Sequence, residues 1–167
     1  GHVPHPYTAS SFFNISAMSY GALSGPAISA LSSGAHQAGI WLNTGEGGLS
    51  PFHQTAPCDL VFQIGTAKYG VRDEHGNLDA EKVAEIAAIP AVKMFEIKLS
   101  QGAKPGKGGI LPASKVTEII ASTRGIPVGQ DSISPNRHPD VTDAGSLLDL
   151  IDRVRTASGK PTGIKFV

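Results

Sequence analysis

Short apolar runs alternate along this chain with segments of helical spacing, and no other feature of the sequence constrains the fold as much. Each run is apolar except for isolated polar residues, which is typical of strands that are buried on both faces of a parallel sheet. Strands are predicted over residues 12–18, 40–42, 60–64, 94–99 and 163–167. Helices are predicted between them, over about 24–39, 79–90, 116–122 and 143–157. The pattern indicates the α/β class.

Capping residues place the ends of the first two helices. Ser24 is a suitable N-cap with Pro26 in the first turn, and Gly39 is a suitable stop for the same helix. The second helix is predicted to begin at about Asp79 and to end before Pro90. These signals support the helix assignments independently of the apolar spacing.

The length of 167 residues leaves two architectures open. A closed eight-stranded barrel needs ~250 residues, so the chain would supply about five of the eight parallel strands of a (β/α)8 TIM barrel. The alternative is an open, doubly wound sheet of five strands, which this length completes. Periodicity alone does not choose between them.

Composition narrows the classes of partner. The 14 basic and 14 acidic residues give no net charge, and no basic run marks a nucleic-acid surface. Apolar stretches end well short of the ~20 residues that span a bilayer, and no signal peptide is visible. Cys58 is the single cysteine, so no internal disulfide and no thiolate metal site can form from it alone. We expect a cytoplasmic protein with small-molecule ligands.

Polar residues stand at the carboxyl ends of the predicted strands. They are Ser19, Glu46, Gln63, Lys98 and Lys165. Ligands bind at this edge in parallel α/β folds. One polar strand end is ordinary, but lysines within apolar strands are costly unless they meet an anion or a carboxylate. We therefore predict a binding site at this edge.

Residues 102–108 superficially resemble a phosphate-binding P-loop. The spacing between the glycines is one residue short, and Gly108 stands where a Ser or Thr would hold magnesium. No G-x-G-x-x-G follows a predicted strand, and the six histidines show no metal-ligand spacing. We predict neither a P-loop nor a metal site.

Five motifs resemble, in order and spacing, the FMN-binding barrel of glutamate synthases. They read AMSYGALS (17–24), NTGEGG (43–48), DLVFQIGTAKYGVRDE (59–74), EIKLSQGAKPGKGGILPASKVT (96–117) and ISPNRHPD (133–140). The stand-alone, archaeal-type members are most similar, and the likeness runs from about residue 14 onward. The resemblance implies the barrel, with residues 14–167 as an incomplete FMN-binding barrel domain. Residues 1–13 are interpreted as a leader or tag remnant and the approach to the barrel.

The resemblance implies a flavin-dependent reductive amination. In glutamate synthases, reduced FMN delivers hydride to 2-iminoglutarate, which forms from 2-oxoglutarate and ammonia, and the product is L-glutamate. The matching positions imply backbone along the flavin from Met18, Ser19, Gly21 and Ala22. They imply side chains at its polar edge from Gln63, Lys98 and Lys165. Two lysines suit that edge because a cation there stabilises the anionic reduced flavin.

The resemblance also implies how the substrate is held. Lys104 and Arg124 match the positions that bind the two carboxylates, and Glu46 is the candidate for orienting the imine nitrogen. Glu46 and Lys104 are thus the catalytic candidates, and a solvated loop cation is the alternative interpretation of either basic residue. Ile110 departs from the large multidomain members, in which a glutamine usually stands there. Another amine or amino acid, as in N-methylglutamate formation, is therefore the competing reaction.

Several parts of a complete enzyme are expected to lie outside this chain. Residue 1 is Gly, so no cysteine nucleophile for glutamine hydrolysis is present, and an iron–sulfur cluster, an electron donor protein or domain and the C-terminal barrel half would come from elsewhere. The last strands of such barrels usually hold the phosphate, so we expect this chain alone to bind FMN weakly or not at all and to be inactive. Exposed strand edges predict a homo-oligomer. A half-barrel that serves only as an assembly module is a further hypothesis.

Overall fold

The computed structural model describes residues 3–103 and 106–167. Within these ranges the α-helices are α1 (Gly25–Ala38), α2 (Ala80–Ala88), α3 (Glu118–Arg124) and α4 (Ala144–Ser158). The strands are β1 (Leu42–Asn43), β2 (Leu60–Ile64), β3 (Val92–Lys98), β4 (Ile110–Leu111), β5 (Ser132–Ile133) and β6 (Thr162–Lys165). Short 3-10 helices cover Pro51–Gln54 and Ala113–Lys115. None of the helices in the described ranges has the length and apolar character needed to cross a membrane.

Strands β1, β2, β3 and β6 form one parallel sheet in that order. Residues 15–18 run beside β1 on its free side. The Ile15 amide donates to the Trp41 carbonyl, and the Met18 amide donates to the Asn43 carbonyl. Five parallel segments therefore lie side by side in chain order.

The order of the strands decides between the two architectures. A doubly wound sheet reverses direction at a switch point, so that its first strand lies inside the sheet. Here each later strand is added on the same side, as in a barrel that is wound in one direction. The chain forms part of a TIM barrel, and the α/β class and the barrel prediction are confirmed.

The predicted helix caps are present. Ser24 and Asp79 each accept backbone N–H groups of the following turn with a side-chain oxygen, and so begin α1 and α2. Gly39 ends α1 in the left-handed conformation, at a φ of 65°, which glycine adopts without strain. Helix α3 begins two residues later than predicted because Thr117 caps it.

The hydrophobic core lies where the sheet packs against α1, α2 and α4. Phe62 and Phe95 are fully buried at its centre, with ring centroids 5.7 Å apart. Ile64, the last residue of β2, and Ile97, one position before the end of β3, are also fully buried. Burial of each such side chain contributes about 1.5–3 kcal/mol. The core therefore holds the ends of β2 and β3 in fixed positions.

Two predicted strands are wrong at their outer ends. Phe12 and Phe13 are 90% and 73% exposed, because the chain first bridges to β1 at Ile15. Phe166 and Val167 follow the last residue of β6 and are also exposed. In both places the apolar run extends beyond the neighbouring strand with which it could pair.

The chain between β3 and α4 returns over the carboxyl ends of the sheet. Residues 106–143, the cover segment, contain α3 and an antiparallel ribbon of β4 and β5 that the sequence did not predict. Three side-chain contacts fix this segment to the sheet. They join Thr66 Oγ1 to the Pro135 carbonyl at 2.6 Å, His138 Nε2 to the Lys98 carbonyl at 2.8 Å, and Lys68 Nζ to Asp140 Oδ1 at 2.7 Å.

The Lys68–Asp140 ion pair is the charged contact among these three. Lys68 is 2% exposed, and its φ of 52° is uncommon for a residue with a side chain. Burial alone would raise the pKa of the Asp140 carboxyl, but the hydrogen bond and charge of Lys68 outweigh it and hold that pKa below its usual value. The buried ammonium therefore depends on Asp140 for its charge balance.

His53 ties the first 3-10 helix to the chain beside β1. It is fully buried, and its Nδ1 accepts the Ser50 amide at 3.2 Å. Its Nε2 therefore carries the proton and donates to the Met18 carbonyl at 2.8 Å. Burial lowers the pKa of His53, and hydrogen bonds involving Met18 and Thr44 oppose this only in part. The fold thus favours the neutral imidazole.

The substitution Asp140→Ala tests the tie between the cover segment and the sheet. It leaves the Lys68 ammonium buried without its partner, and we expect the free energy of unfolding to fall by about 2 kcal/mol. The loss is smaller than for a fully buried pair because Asp140 is partly exposed. Urea denaturation measures the change. Asp149→Ala, at an exposed position, is the matched control with an expected change below about 0.5 kcal/mol.

A substitution of Lys68 provides a second test of the ion pair. Adding Lys68→Met to Asp140→Ala removes the unpaired charge, so part of the lost stability should return. A double variant no more stable than Asp140→Ala would contradict the assignment.

The lowered pKa of His53 predicts a pH-dependent stability. The unfolded residue titrates near pH ~6.5, and the folded pKa lies lower. Its stabilising contribution is therefore fully present above about pH 6.5 and is lost as the pH falls through the folded pKa. We expect the free energy of unfolding to fall from about pH 7 to 5, and to fall less steeply in His53→Gln. His75→Gln changes an exposed histidine and should keep the wild-type slope, whereas equal slopes in all three proteins would refute the prediction.

Candidate functional site

A hollow of about 460 Å³ opens at the carboxyl ends of the sheet, beneath the cover segment. The predicted site residues that line it are Ser19, Gly21, Ala22, Glu46, Gln63, Lys98, Arg124 and Lys165. Met18 packs against the core beside the hollow, and Lys104 lies outside the described residues. Each of the five parallel segments thus contributes a predicted residue near its carboxyl end.

Lys98 and Lys165 are register partners on the paired strands β3 and β6. Partners in register project their side chains to the same side of a sheet, and both lysines line the hollow. Lys98 Nζ lies 3.1 Å from Glu46 Oε2 and donates to Gln101 Oε1 at 2.9 Å. Gln101 Nε2 in turn donates to Glu46 Oε1 at 2.5 Å. Glu46 and Lys98 are therefore held together, and Lys165 has no salt bridge to the described residues.

Gln63 presents a buried side-chain carbonyl oxygen. The side chain is 1% exposed, and its Nε2 donates to Glu96 Oε1 at 2.6 Å. Asn43 Nδ2 donates to the same oxygen at 2.9 Å. Gln63 Oε1 has no partner in the described part of the chain. An unmet buried acceptor costs about 1–3 kcal/mol, so a donor from a bound ligand would be favourable there.

Two glycines let the loops at the strand ends approach one another. A Cβ at Gly45 would lie 2.6 Å from the Ser19 amide nitrogen, and Gly45 also has a φ of +69°. A Cβ at Gly65 would lie 2.6 Å from the Cβ of Glu46. Larger residues at these positions would push Ser19 and Glu46 from their places around the hollow.

Arg124 lies on the wall of the hollow and is 8% exposed. Its Nη1 donates to Ser132 Oγ at 2.9 Å, and its Nη2 donates to the Tyr20 carbonyl at 3.3 Å. The guanidinium also lies 5.0 Å from the Tyr69 ring centroid. Burial lowers the pKa of Arg124, and Tyr69 and Glu46 oppose that effect. Arg124 thus joins the cover segment to the chain after Ser19, a role that the sequence did not predict.

Sequence reasoning missed several side chains that organise the site. Gln101 bridges Lys98 and Glu46, and His53 and His138 hold the carbonyls of Met18 and Lys98. Burial lowers the pKa of His138, as it does for His53. Gln101 lies in the motif at 96–117 and His138 in the motif at 133–140. Their position in these motifs was the sequence signal by which they could have been identified. In the described ranges, no group of three His, Cys, Asp or Glu side chains is placed to hold a metal ion.

Comparison with known proteins adds an independent result. The family model for the conserved region in glutamate synthase matches residues 3–167. The glutamate synthase large subunit-like protein YerD of Bacillus subtilis is 41% identical over 163 residues, which cover 97% of this chain and 31% of that protein. The archaeal-type glutamate synthase (NADPH) of Thermotoga maritima is 40% identical over 152 residues, which cover 90% of this chain and 27% of that protein.

A third relative gives the same result. The archaeal glutamate synthase (NADPH) of Archaeoglobus fulgidus is 39% identical over 153 residues, which cover 90% of this chain and 27% of that protein. The chain therefore spans less than a third of the length of these relatives. Because the family model extends over nearly the whole chain, including every residue that lines the hollow, the chain belongs to the glutamate synthase family.

Proposed function

We propose that this chain forms the flavin-facing part of a glutamate synthase-type oxidoreductase. The reaction is the formation of L-glutamate from 2-oxoglutarate and ammonia through 2-iminoglutarate. One observation carries the proposal: two lysines, a carboxylate and an unpartnered buried amide oxygen share a single hollow. The family membership supports the reaction class.

FMN fits the chemical groups around the hollow. The unmet Gln63 Oε1 requires a donor, and the isoalloxazine ring carries one N–H in its pyrimidine part. Lys98 and Lys165 would face the neighbouring carbonyl edge of the ring. Backbone from Met18 to Ala22 would lie along the ring, where Gly21 and Ala22 offer little side-chain bulk. FMN, when bound, supplies the hydride for reduction of the imine.

The two lysines give this part of the hollow a net positive charge. Lys98 is balanced by Glu46, and Lys165 adds a charge that no carboxylate of the described residues balances. Charge interactions are stronger in a partly buried cluster than in water, and Lys98 is only 12% exposed. The cluster therefore favours an anionic ligand and stabilises negative charge that develops on it.

Glu46 is the group proposed to orient the nitrogen that is delivered to the substrate. Donors from Lys98 and Gln101 hold both carboxylate oxygens in place. A carboxylate accepts hydrogen bonds, so Glu46 would accept from the N–H of ammonia or of the imine. Correct positioning of the reacting atoms contributes several kcal/mol to lowering a barrier, up to about 7–11 kcal/mol in the best cases.

The carboxylates of the substrate are assigned to Lys104 and Arg124. Arg124 lines the hollow and keeps its Nε without a partner in the described residues, while its two terminal nitrogens already bind the protein. Its contribution to substrate binding is therefore through charge and through the placement of Tyr20. Lys104 would supply the more direct contact.

A second candidate reaction keeps the flavin and changes the amine. Ile110 lines the hollow and is 66% exposed, so this wall presents an apolar side chain and no hydrogen-bond donor. Such a wall favours a more apolar amine, as in the formation of N-methylglutamate.

The remaining parts of the enzyme are also proposals. Three further strands would complete the barrel and supply the phosphate site. An electron donor protein or domain would deliver the reducing equivalents. The open edge of β6 makes association of the isolated chain into oligomers the expected outcome.

The FMN assignment is tested by titration of the isolated chain. We expect weak, saturable quenching of FMN fluorescence, and a roughly tenfold lower affinity in Lys165→Met because a charge-assisted contact is lost. Lys107→Met changes an exposed lysine outside the hollow and should bind FMN as the wild type does. Unchanged affinity in Lys165→Met would contradict the placement of the flavin edge.

The reaction is tested in a polypeptide that joins this chain to three further barrel strands. With reduced FMN, 2-oxoglutarate and ammonium, we expect L-glutamate as the product, measured by chiral chromatography. Glu46→Gln should lower kcat by about 10²-fold, the lower range for loss of a positioned polar group, and Lys107→Gln should not. Preference for methylamine over ammonium would establish the second candidate, and the absence of any amino acid product would contradict both.

A further inference from the structure

Glu96 stands beside Gln63 as its register partner on the paired strands β3 and β2. It comes two positions before Lys98 and therefore faces the same side of the sheet. Its Oε1 accepts from Gln63 Nε2 at 2.6 Å and from Asn43 Nδ2 at 2.9 Å. One carboxylate oxygen thus meets the side-chain amides of two neighbouring strands.

The direction of the Asn43 amide is fixed independently of Glu96. The backbone amide of Gly45 donates to Asn43 Oδ1 at 3.0 Å. A backbone N–H only donates, so the side-chain atom that it meets must be the oxygen. The other end of this side-chain amide, Nδ2, therefore faces Glu96 and donates to it. Glu96 Oε1 is thus an acceptor.

The Gln63 amide takes its direction from that acceptor. Only the nitrogen of a side-chain amide donates, and a reversed amide would set two acceptor oxygens against each other. The oxygen of Gln63 is therefore turned away from Glu96, and it has no partner in the described residues. Because the Gln63 side chain lines the hollow, the group that remains for a ligand there is an acceptor.

We infer that Glu96 is a positioning residue that directs the Gln63 amide and thereby makes the hollow select a ligand with a hydrogen-bond donor at this point. A glutamine without such a neighbour can turn either end to a ligand and so matches donors and acceptors alike. With Glu96 in place, a ligand acceptor would leave two buried oxygens unpaired, which is costly. The assignment rests on the proposed function, in which the donor is the pyrimidine N–H of the isoalloxazine ring.

The first test needs no ligand. NMR spectra of the whole chain report the side-chain NH2 groups, and those of Asn43 and Gln63 should both shift in Glu96→Gln. Their exchange with water should become about tenfold faster, as for the loss of one charge-assisted hydrogen bond. The exposed amide of Gln54 should not change. Glu85→Gln alters an exposed carboxylate of α2 and should leave all three amides as they are in the wild type.

The second test follows the ring N–H in a titration with 15N-labelled FMN. In Glu96→Gln we expect a roughly tenfold higher dissociation constant and loss of the downfield shift of the bound N–H signal. Adding Gln63→Glu exchanges the amide and the carboxylate between the two positions. This again sets an N–H against a carboxylate oxygen and leaves the second carboxylate oxygen for the ligand. The double variant should therefore regain most of the affinity and the shift.

The outcomes separate this inference from the proposed function. Amide signals of Asn43 and Gln63 that stay unchanged in Glu96→Gln overturn the role of Glu96, whatever the flavin does. Wild-type affinity for FMN in Glu96→Gln also overturns it and leaves the flavin site intact. A double variant no better than Glu96→Gln indicates a structural role and overturns it as well. A wild type that binds no FMN overturns the flavin placement on which the selection rests.

A second variant keeps the tests decisive if Glu96→Gln does not fold. Glu96→Asp retains the charge, but its shorter side chain reaches the two amides less well. It should show the same changes in the amide signals and in FMN binding to a smaller degree, and wild-type behaviour in both would overturn the inference.

Discussion

Parallel pairing in chain order is the constraint on which the rest of this structure depends. Parallel strands that follow one another on the same side of a sheet direct all their carboxyl ends to one edge. Strand β3 pairs with β2 on one side and with β6 on the other, which sets Lys98 directly beside Lys165. The two lysines are 67 residues apart in sequence, so only this pairing makes them neighbours. The buried Phe62 and Phe95 stabilise the same pairing from within the core.

The cover segment converts an open sheet edge into a partly covered hollow. Its contacts reach the sheet through Thr66, Lys68 and the Lys98 carbonyl, and its Arg124 reaches the chain after Ser19. Each contact is a hydrogen bond or an ion pair of a buried group, which is costly to leave unpaired. The polar contacts therefore help to fix the position of the segment, together with the packing of Val141 on the core and of Tyr20 on the segment's own apolar cluster.

Features that depend on local chemistry were predictable from the sequence. Ser24, Asp79 and Gly39 mark helix ends through their own side chains or backbone, and the structure has the caps at these residues. The strand ends that carry Gln63 and Lys98 were also predicted within two residues. Barrel order came from the resemblance, because an apolar run does not encode the neighbour with which it pairs.

Features that depend on distant partners were not predictable. The β4–β5 ribbon joins residues about twenty positions apart through two short strands with no periodic signal. Phe12 and Phe13 have the apolar character of a strand but meet no partner strand. Lys104 was assigned from a motif and lies outside the described residues, so its role remains a proposal. Glu96 also constrains how the strands pair. Its Oε1 accepts hydrogen bonds from Asn43 and Gln63, so a single atom joins three adjacent strands. A slip of one residue in either pairing would turn a polar partner to the opposite face, so this shared oxygen discriminates against one-residue slips among β1, β2 and β3.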